Sequence, residues 1–310
     1  MNAISQTTYG GPEVLHRVEL DRPTPGPSEA LVRVRAAGMN PTDWKHRQFP
    51  GLVDRLPLVL GWDVAGVVEA VGLGVTLHQA GDEVFGMLPY PHGVGSFAEY
   101  VVAPARALVR KPAAIDHVQA GALPLAALTA WQALVDAAEV QPGQRVLIHA
   151  AAGGVGHLAV QIAKERGAHV IGTASAPKHA LLRELGADEL IDYRTADFTE
   201  IAPVDLVLDT LGGDTAVRSL EVLRPGGQLI SISLMNLPAD LAERAAARGV
   251  RSRGLLVEAD QAGMQAIAEL AAAGRLRAVV AAEFPLDQAA EGHRLGDTGR
   301  VTGKVVLTIG

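Results

Sequence analysis

The sequence predicts an α/β chain in two parts, a β-rich first part and a doubly wound parallel sheet after it. Three observations predict this. Up to about residue 120 the chain runs in short Val-rich segments punctuated by proline and glycine. After residue 145, short apolar runs alternate with Ala- and Leu-rich helical stretches. The first of those runs leads into a glycine-rich turn and an amphipathic helix. A length of 310 residues suits two domains rather than one core.

In chain order, residues 30–36 and 64–71 read as short strands rich in Val, and residues 82–85 and 96–102 read as further strands. Pro23, Pro25, Gly26, Pro27, Pro41, Pro50 and Pro57 fall between them and read as turns and loops. Residues 122–137 read as a helix. Strands are then expected at 145–149, 169–173, 189–192, 204–208, 227–232 and 250–257, and helices at 154–166, 177–185, 215–223, 239–247 and 261–273. Consecutive apolar residues such as Val146-Leu147-Ile148 and Leu206-Val207-Leu208 are expected of strands buried on both faces. The tail 278–310 breaks the alternation, with two strand-like runs at 279–284 and 304–309 that suit a return to the first part.

Composition excludes several function classes. The formal charge is −7 with no basic run, which argues against a nucleic-acid partner and against a membrane surface bound through basic residues. There is no cysteine, so neither a disulfide nor a thiolate zinc site can form. No segment is apolar for long enough to span a membrane, and residues 1–10 carry no apolar signal core. The expected location is the cytoplasm.

The strongest motif is VLIHAAAGGVG, residues 146–156, followed by HLAVQIAKERGA. A buried strand, a glycine turn and a helix N-terminus together form a pyrophosphate site in a Rossmann unit. Gly153 lets the backbone approach the phosphates and Gly156 lets the helix pack on the strand, while Ala152, Gly154 and Val155 complete the turn. Ala151 stands where the pattern has its first glycine. A structural turn without a ligand is the alternative. A unit of this type that binds NAD ends its second strand in Asp or Glu, to hold the ribose 2'-hydroxyl. Here residues 169–173 run into Ala174-Ser175-Ala176-Pro177-Lys178 instead. A hydroxyl and an ammonium suit a 2'-phosphate, so NADP(H) is the expected cofactor. Ser175 also fits a helix N-cap ahead of Pro177. Tyr193 and Arg194, after the third strand, are placed to close over the same phosphate. The alternative for Lys178 and Arg194 is a solvated surface charge.

At this point the chain resembles the medium-chain dehydrogenase/reductase superfamily, and most closely its zinc-free quinone oxidoreductase branch. The resemblance rests on residues 37–47 (AGMNPTDWKHR), 57–72 (PLVLGWDVAGVVEAVG), 81–86 (GDEVFG), 123–134 (LPLAALTAWQAL), the AAAGGVG loop, 205–213 (DLVLDTLGG) and 303–307 (GKVVL). It implies a GroES-like catalytic domain over residues 1–122, a Rossmann NADPH-binding domain over 123–259, and a C-terminal segment, 260–310, that returns to the first. Zinc-dependent members place Cys where this chain has Asn40 and His where it has Trp62, and their four-cysteine lobe is missing between Phe85 and Ser96. By the same resemblance Asn40 and Thr129 lie at the nicotinamide as candidate catalytic and cofactor residues, and Leu211 lines the cofactor. A homodimer through residues 250–257 is implied in the same way.

Without a metal, an electron-poor acceptor is the natural substrate, because a quinone or α,β-unsaturated carbonyl takes hydride and becomes a stabilised oxyanion. Asn40 can donate and accept at the nicotinamide, or it can cap the turn before Pro41. Thr129 can serve the nicotinamide or bond its own helix. Asp43 and Asp63 read as loop braces. Lys45 and Tyr90 are candidate proton or oxyanion partners, and Trp62 packs in the core or lines the acceptor. His149 and His157 lie near the expected cofactor, but no nucleophile arrangement surrounds them. The sequence assigns no general acid. The leading reading is an NADPH-dependent quinone or enone reductase. A stand-alone enoyl reductase of a polyketide or fatty-acyl pathway and a non-catalytic NADPH-binding regulator are the alternatives.

Overall fold

The computed structural model describes all residues, Met1–Gly310. The chain divides into two compact units: Met1–Leu128 with Glu258–Gly310, and Thr129–Val257. These divisions fall at 128/129 and 257/258, where the sequence reading draws boundaries at 122/123 and 259/260.

The first unit is built on a seven-stranded sheet. Its long strand, Glu29–Met39, pairs antiparallel with Asp63–Val71 along most of its length. The sheet continues through Glu83–Met87 to Leu108–Arg110 on that side. On the other side Lys304–Thr308 pairs antiparallel with Glu29–Met39, with Val306 opposite Gly38, and Val280–Pro285 lies parallel beyond it. The tail therefore completes the sheet begun by the N-terminal part. Tyr100–Pro104 pairs with the first half of Glu29–Met39. A smaller three-stranded sheet joins His16–Glu19, Asn2–Gln6 and Leu58–Val59. The core is mostly aliphatic, with Val32, Val34, Val64, Leu108 and Val306 among its buried residues, along with Trp62, Phe85 and Phe97.

Several sequence expectations are corrected here. Residues 96–99 are not strand. The N–H groups of Gly95 and Phe97 donate instead to the carbonyls of Gly61 and Leu60. The expected helix 122–137 is found as Pro124–Trp131 continued by a wider helical turn, Gln132–Ala137, and a separate helix that was not expected, His117–Ala122, precedes it. Pro124 cannot donate a backbone hydrogen bond, so a new helix starts there. Pro41–Gln48 is a helix rather than a loop. Asn40 and Pro41 read as turn residues, yet they equally begin a helix when an acid such as Asp43 stands at the third helical position. The tail contains a further helix, Ala289–Asp297, which the sequence reading missed.

The second unit carries a six-stranded sheet, all parallel. Across it run Glu189–Ile191, His169–Thr173, Arg145–Ile148, Val204–Asp209, Leu223–Ser231 and Arg251–Gly254. This is the strand order of a doubly wound dinucleotide-binding sheet, whose ligands bind beyond the carboxyl ends of the central strands. Leu147, Ile171, Val207 and Leu229 fill its core.

Candidate functional site

In the second unit the glycine loop opens the helix Gly156–Glu165 directly beyond the strand Arg145–Ile148. The N–H groups of Ala152, Gly154, Val155 and Gly156 make no backbone hydrogen bond, which leaves them for an anion. A Cβ on Gly156 would lie 2.4 Å from the Ala150 carbonyl oxygen, so only glycine fits at that contact. Ala150 turns the chain with a φ of +46°, a left-handed conformation that costs a non-glycine residue about 1 kcal/mol. Ala151, in place of the first glycine, is accommodated by the neighbouring strand. Its Cβ lies 2.8 Å from where a Cβ on Gly172 would stand.

A directional hydrogen-bond chain holds the loop from below. Ser219 Oγ donates to the Thr215 carbonyl at 2.6 Å, so it accepts from His149 Nε2 at 2.9 Å. His149 Nδ1 then accepts from the Thr173 hydroxyl at 3.2 Å, and Thr173 Oγ1 accepts the Ala150 N–H at 3.2 Å. Burial pushes the His149 pKa down to about 4, which keeps the ring neutral in this chain. His149 is thus a support for the loop. Asp209, also buried, accepts the N–H groups of Leu211 and Gly212 at 3.0 Å and the Ser231 hydroxyl at 2.6 Å. It shapes the turn that leaves Leu211 with its side chain exposed.

After the strand His169–Thr173, Ser175 occupies an N-cap position, but its hydroxyl makes no cap hydrogen bond. Lys178 is half-buried in the same turn. Tyr193 is exposed, with the Arg194 guanidinium 5.8 Å from its ring centre. Thr129 is buried in the helix Pro124–Trp131.

In the first unit Asn40 is buried, and both ends of its amide are engaged. Its Nδ2 donates to Asp63 Oδ2 at 2.9 Å, and its Oδ1 accepts from the Lys304 ammonium. Lys304 Nζ also lies 3.5 Å from Asp63 Oδ2. Asp63 Oδ1 accepts the Leu125 N–H at 2.6 Å. Asp43 Oδ2 accepts the Asn40 N–H at 2.6 Å, which begins the helix Pro41–Gln48. Burial works against every charge in this group. It pushes the Asp43 carboxyl up to about 8, raises Asp63 and lowers Lys304, while the Asp63–Lys304 contact opposes the last two shifts. The two acids act as the expected braces. Sequence reasoning missed Lys304. Its signal was a lone lysine opening the apolar run Val305-Val306-Leu307.

Beside this group lies an aromatic one. Trp62 is buried, with its ring centre 5.3 Å from Tyr90 and 5.2 Å from His46. Trp62 Nε1 donates to the Pro91 carbonyl at 3.1 Å. The Thr42 hydroxyl lies 3.0 Å from the Tyr90 hydroxyl. Lys45, by contrast, is exposed. No group of three or more His, Cys, Asp or Glu side chains is placed to hold a metal ion. No helix is long and apolar enough to cross a membrane.

Comparison with known proteins agrees with this architecture. Residues 26–113 match the alcohol dehydrogenase GroES-like domain, and residues 185–307 match a family described as zinc-binding dehydrogenase. A 2-haloacrylate reductase of Burkholderia sp is 35% identical over 96% of this chain and 96% of its own length. Among solved structures, the quinone oxidoreductase of Coxiella burnetii superimposes with a TM-score of 0.94 at 37% identity, covering 100% of this chain and 99% of the other. The Escherichia coli quinone oxidoreductase complexed with NADPH gives 0.91 at 30% identity, covering 99% and 100%. The pairing of a GroES-like β unit with a parallel dinucleotide-binding unit extends over the full length of these relatives, and the chain belongs to the NAD(P)-dependent medium-chain dehydrogenase/reductase family, in its quinone oxidoreductase branch.

Proposed function

We propose that this protein is an NADPH-dependent reductase that delivers hydride to a quinone or an α,β-unsaturated carbonyl without a metal ion. One observation carries the reading: the strand His169–Thr173 ends at an uncapped Ser175 hydroxyl and at Lys178, with no carboxylate to meet a ribose 2'-hydroxyl. A 2'-phosphate finds charge-assisted hydrogen bonds there, where an acid would repel it. Tyr193 and Arg194 lie over the same end of the nucleotide. The free N–H groups of Ala152, Gly154, Val155 and Gly156 hold the pyrophosphate, with Gly153 admitting it. Leu211 and Thr129 contact the nicotinamide half.

Bound NADPH supplies a hydride. The chain's own residues orient the cofactor, exclude water and stabilise the negative charge that the acceptor gains. The donors of the first unit do not suit zinc, since Asn40 and Trp62 stand at the two ligand positions and Asn40 is already committed to Asp63 and Lys304. Asn40 in this reading holds Asp63 and Lys304 together rather than touching the acceptor. A small electrophile fits a chain with no basic run. A homodimer would pair two copies of Arg251–Gly254, which is the sheet's last strand and is hydrogen-bonded on one side only.

The test is NADPH oxidation with a panel of quinones and enones, with NADH and an added chelator as controls. Chelator-resistant turnover that prefers NADPH supports the proposal. Tight NADPH binding with no turnover of any acceptor would favour a carrier-linked enoyl reductase or a regulator.

A further inference from the structure

We infer that His179 is a positioning residue for the cofactor's 2'-phosphate, because its ring fixes the peptide unit that aims the Ser175 N–H. The inference rests on the NADPH reading above and deepens it by naming what sets the geometry of the subsite at Ser175 and Lys178. Every group it uses belongs to the second unit.

His179 Nε2 lies 3.0 Å from the Ala174 carbonyl oxygen. A carbonyl only accepts, so Nε2 carries a proton and donates, and it does so in the neutral ring and in the charged ring alike. His179 is half-buried and opens the helix His179–Glu184. Its ring reaches back to the residue that follows the strand His169–Thr173. Ala174 is buried there, and its N–H donates to the Ile191 carbonyl at 3.0 Å. No backbone N–H donates to the Ala174 carbonyl, so the ring supplies the partner that a buried carbonyl needs.

The Ala174 carbonyl and the Ser175 N–H belong to one planar trans peptide unit, in which the two point in opposite directions. Holding the carbonyl against His179 therefore turns the Ser175 N–H to the other side of the chain. The N–H groups of Ser175 and Ala176 make no backbone hydrogen bond, and the Ser175 hydroxyl makes no cap bond. The Lys178 N–H already donates to the Ser175 carbonyl at 2.9 Å, which closes the turn below them. Two amide donors and a hydroxyl thus stand uncommitted beside the half-buried Lys178. Charge-assisted hydrogen bonds to a phosphate form when such donors point at its oxygens, and they weaken steeply as the angle closes. A peptide unit free to rotate would lose that aim. NADH carries no 2'-phosphate, so the loss would fall on NADPH alone. Lys178 supplies charge at this subsite, and His179 supplies direction.

The experiment measures binding to the full-length wild type, His179→Phe and His179→Gln by isothermal titration. The ligands are NADPH, NADH, adenosine 2',5'-bisphosphate and 5'-AMP. Phenylalanine keeps a planar ring and removes the donor, whereas glutamine offers an amide N–H at the reach of Nε2. His179→Phe is expected to weaken NADPH and adenosine 2',5'-bisphosphate about ten-fold, the worth of one charge-assisted hydrogen bond. NADH and 5'-AMP should stay within about two-fold of wild type, and His179→Gln should recover most of the loss. A histidine that only braced the helix would weaken all four ligands alike, and that result overturns the assignment. So does His179→Phe with NADPH affinity within two-fold of wild type, or His179→Gln as weak as His179→Phe. A wild type that binds NADH as tightly as NADPH, and 5'-AMP as tightly as the bisphosphate, overturns the NADPH reading itself and the assignment with it.

Discussion

Lys304 and Asp63 pair in the interior of the first unit, with Nζ 3.5 Å from Oδ2 and side-chain exposures of 2% and 0%. The lysine opens the last strand of the chain and the aspartate opens Asp63–Val71, so the pair ties the C-terminal tail to the N-terminal sheet. Asn40 bridges them by donating to one and accepting from the other.

Removing one partner leaves a buried charge unpaired, which costs about 3–5 kcal/mol. Lys304→Met is therefore expected to lower the midpoint of thermal unfolding by several degrees. The double variant Lys304→Met with Asp63→Asn should regain part of that loss. A single Lys304→Met variant as stable as wild type would mean that the pair holds nothing.

Asp43 gives the first unit a pH dependence of definite sign. Burial raises its carboxyl from 3.8 to about 8. The folded protein then keeps a proton that the unfolded chain has released. The stabilising contribution is full below about pH 4 and is lost as pH rises through about 8. Asp43→Asn mimics the protonated acid and should flatten the fall in stability over that window, measured as unfolding midpoint against pH. Parallel profiles for wild type and variant would show that Asp43 is ionised in the fold.

Lys178→Ala tests the 2'-phosphate site by removing its charge. NADPH affinity should fall about 10- to 100-fold, the worth of a charge-assisted hydrogen bond, while NADH affinity changes little. Equal loss for both cofactors would return Lys178 to a solvated surface charge. Isothermal titration of each cofactor separates the two outcomes.

Gly172 lies beneath the phosphate loop, and a Cβ there would stand 2.8 Å from that of Ala151. Gly172→Ala should cost about 1–3 kcal/mol through overpacking and weaken NADPH binding along with stability. The pair Gly172→Ala with Ala151→Gly exchanges the two methyl positions and should restore both. Failure of the double variant to recover would locate the loop's support elsewhere, in the His149–Thr173 chain.

The second unit was the more legible half of the sequence. Its central strands, Arg145–Ile148 and Val204–Asp209, carry consecutive apolar residues and its helix Gly156–Glu165 is amphipathic, and those patterns follow from local burial alone. The run from Val146 to Gly156 declared both the strand and the turn, because the turn needs glycine where backbone meets backbone. The first unit was harder. Residues 96–99 have the composition of a strand but bond to the loop at Leu60 and Gly61. Asn40 and Pro41 read equally as a turn or a helix start, and only Asp43 bonding back to the Asn40 N–H separates the two.

By itself the sequence determined the two-part α/β organisation, the glycine loop and the lack of any cysteine ligand. These depend on residue type and short-range spacing, which the chain carries wherever it folds. The tertiary structure alone decided that Lys304 meets Asp63 and Asn40, since the contact spans 241 positions from Asp63 and 264 from Asn40. It alone decided that Thr42 lies under the Tyr90 hydroxyl, 48 positions away. Such pairings are set by sheet register and packing, and a lysine or tyrosine has the same local sequence signature whether it ends in solvent or against a buried partner.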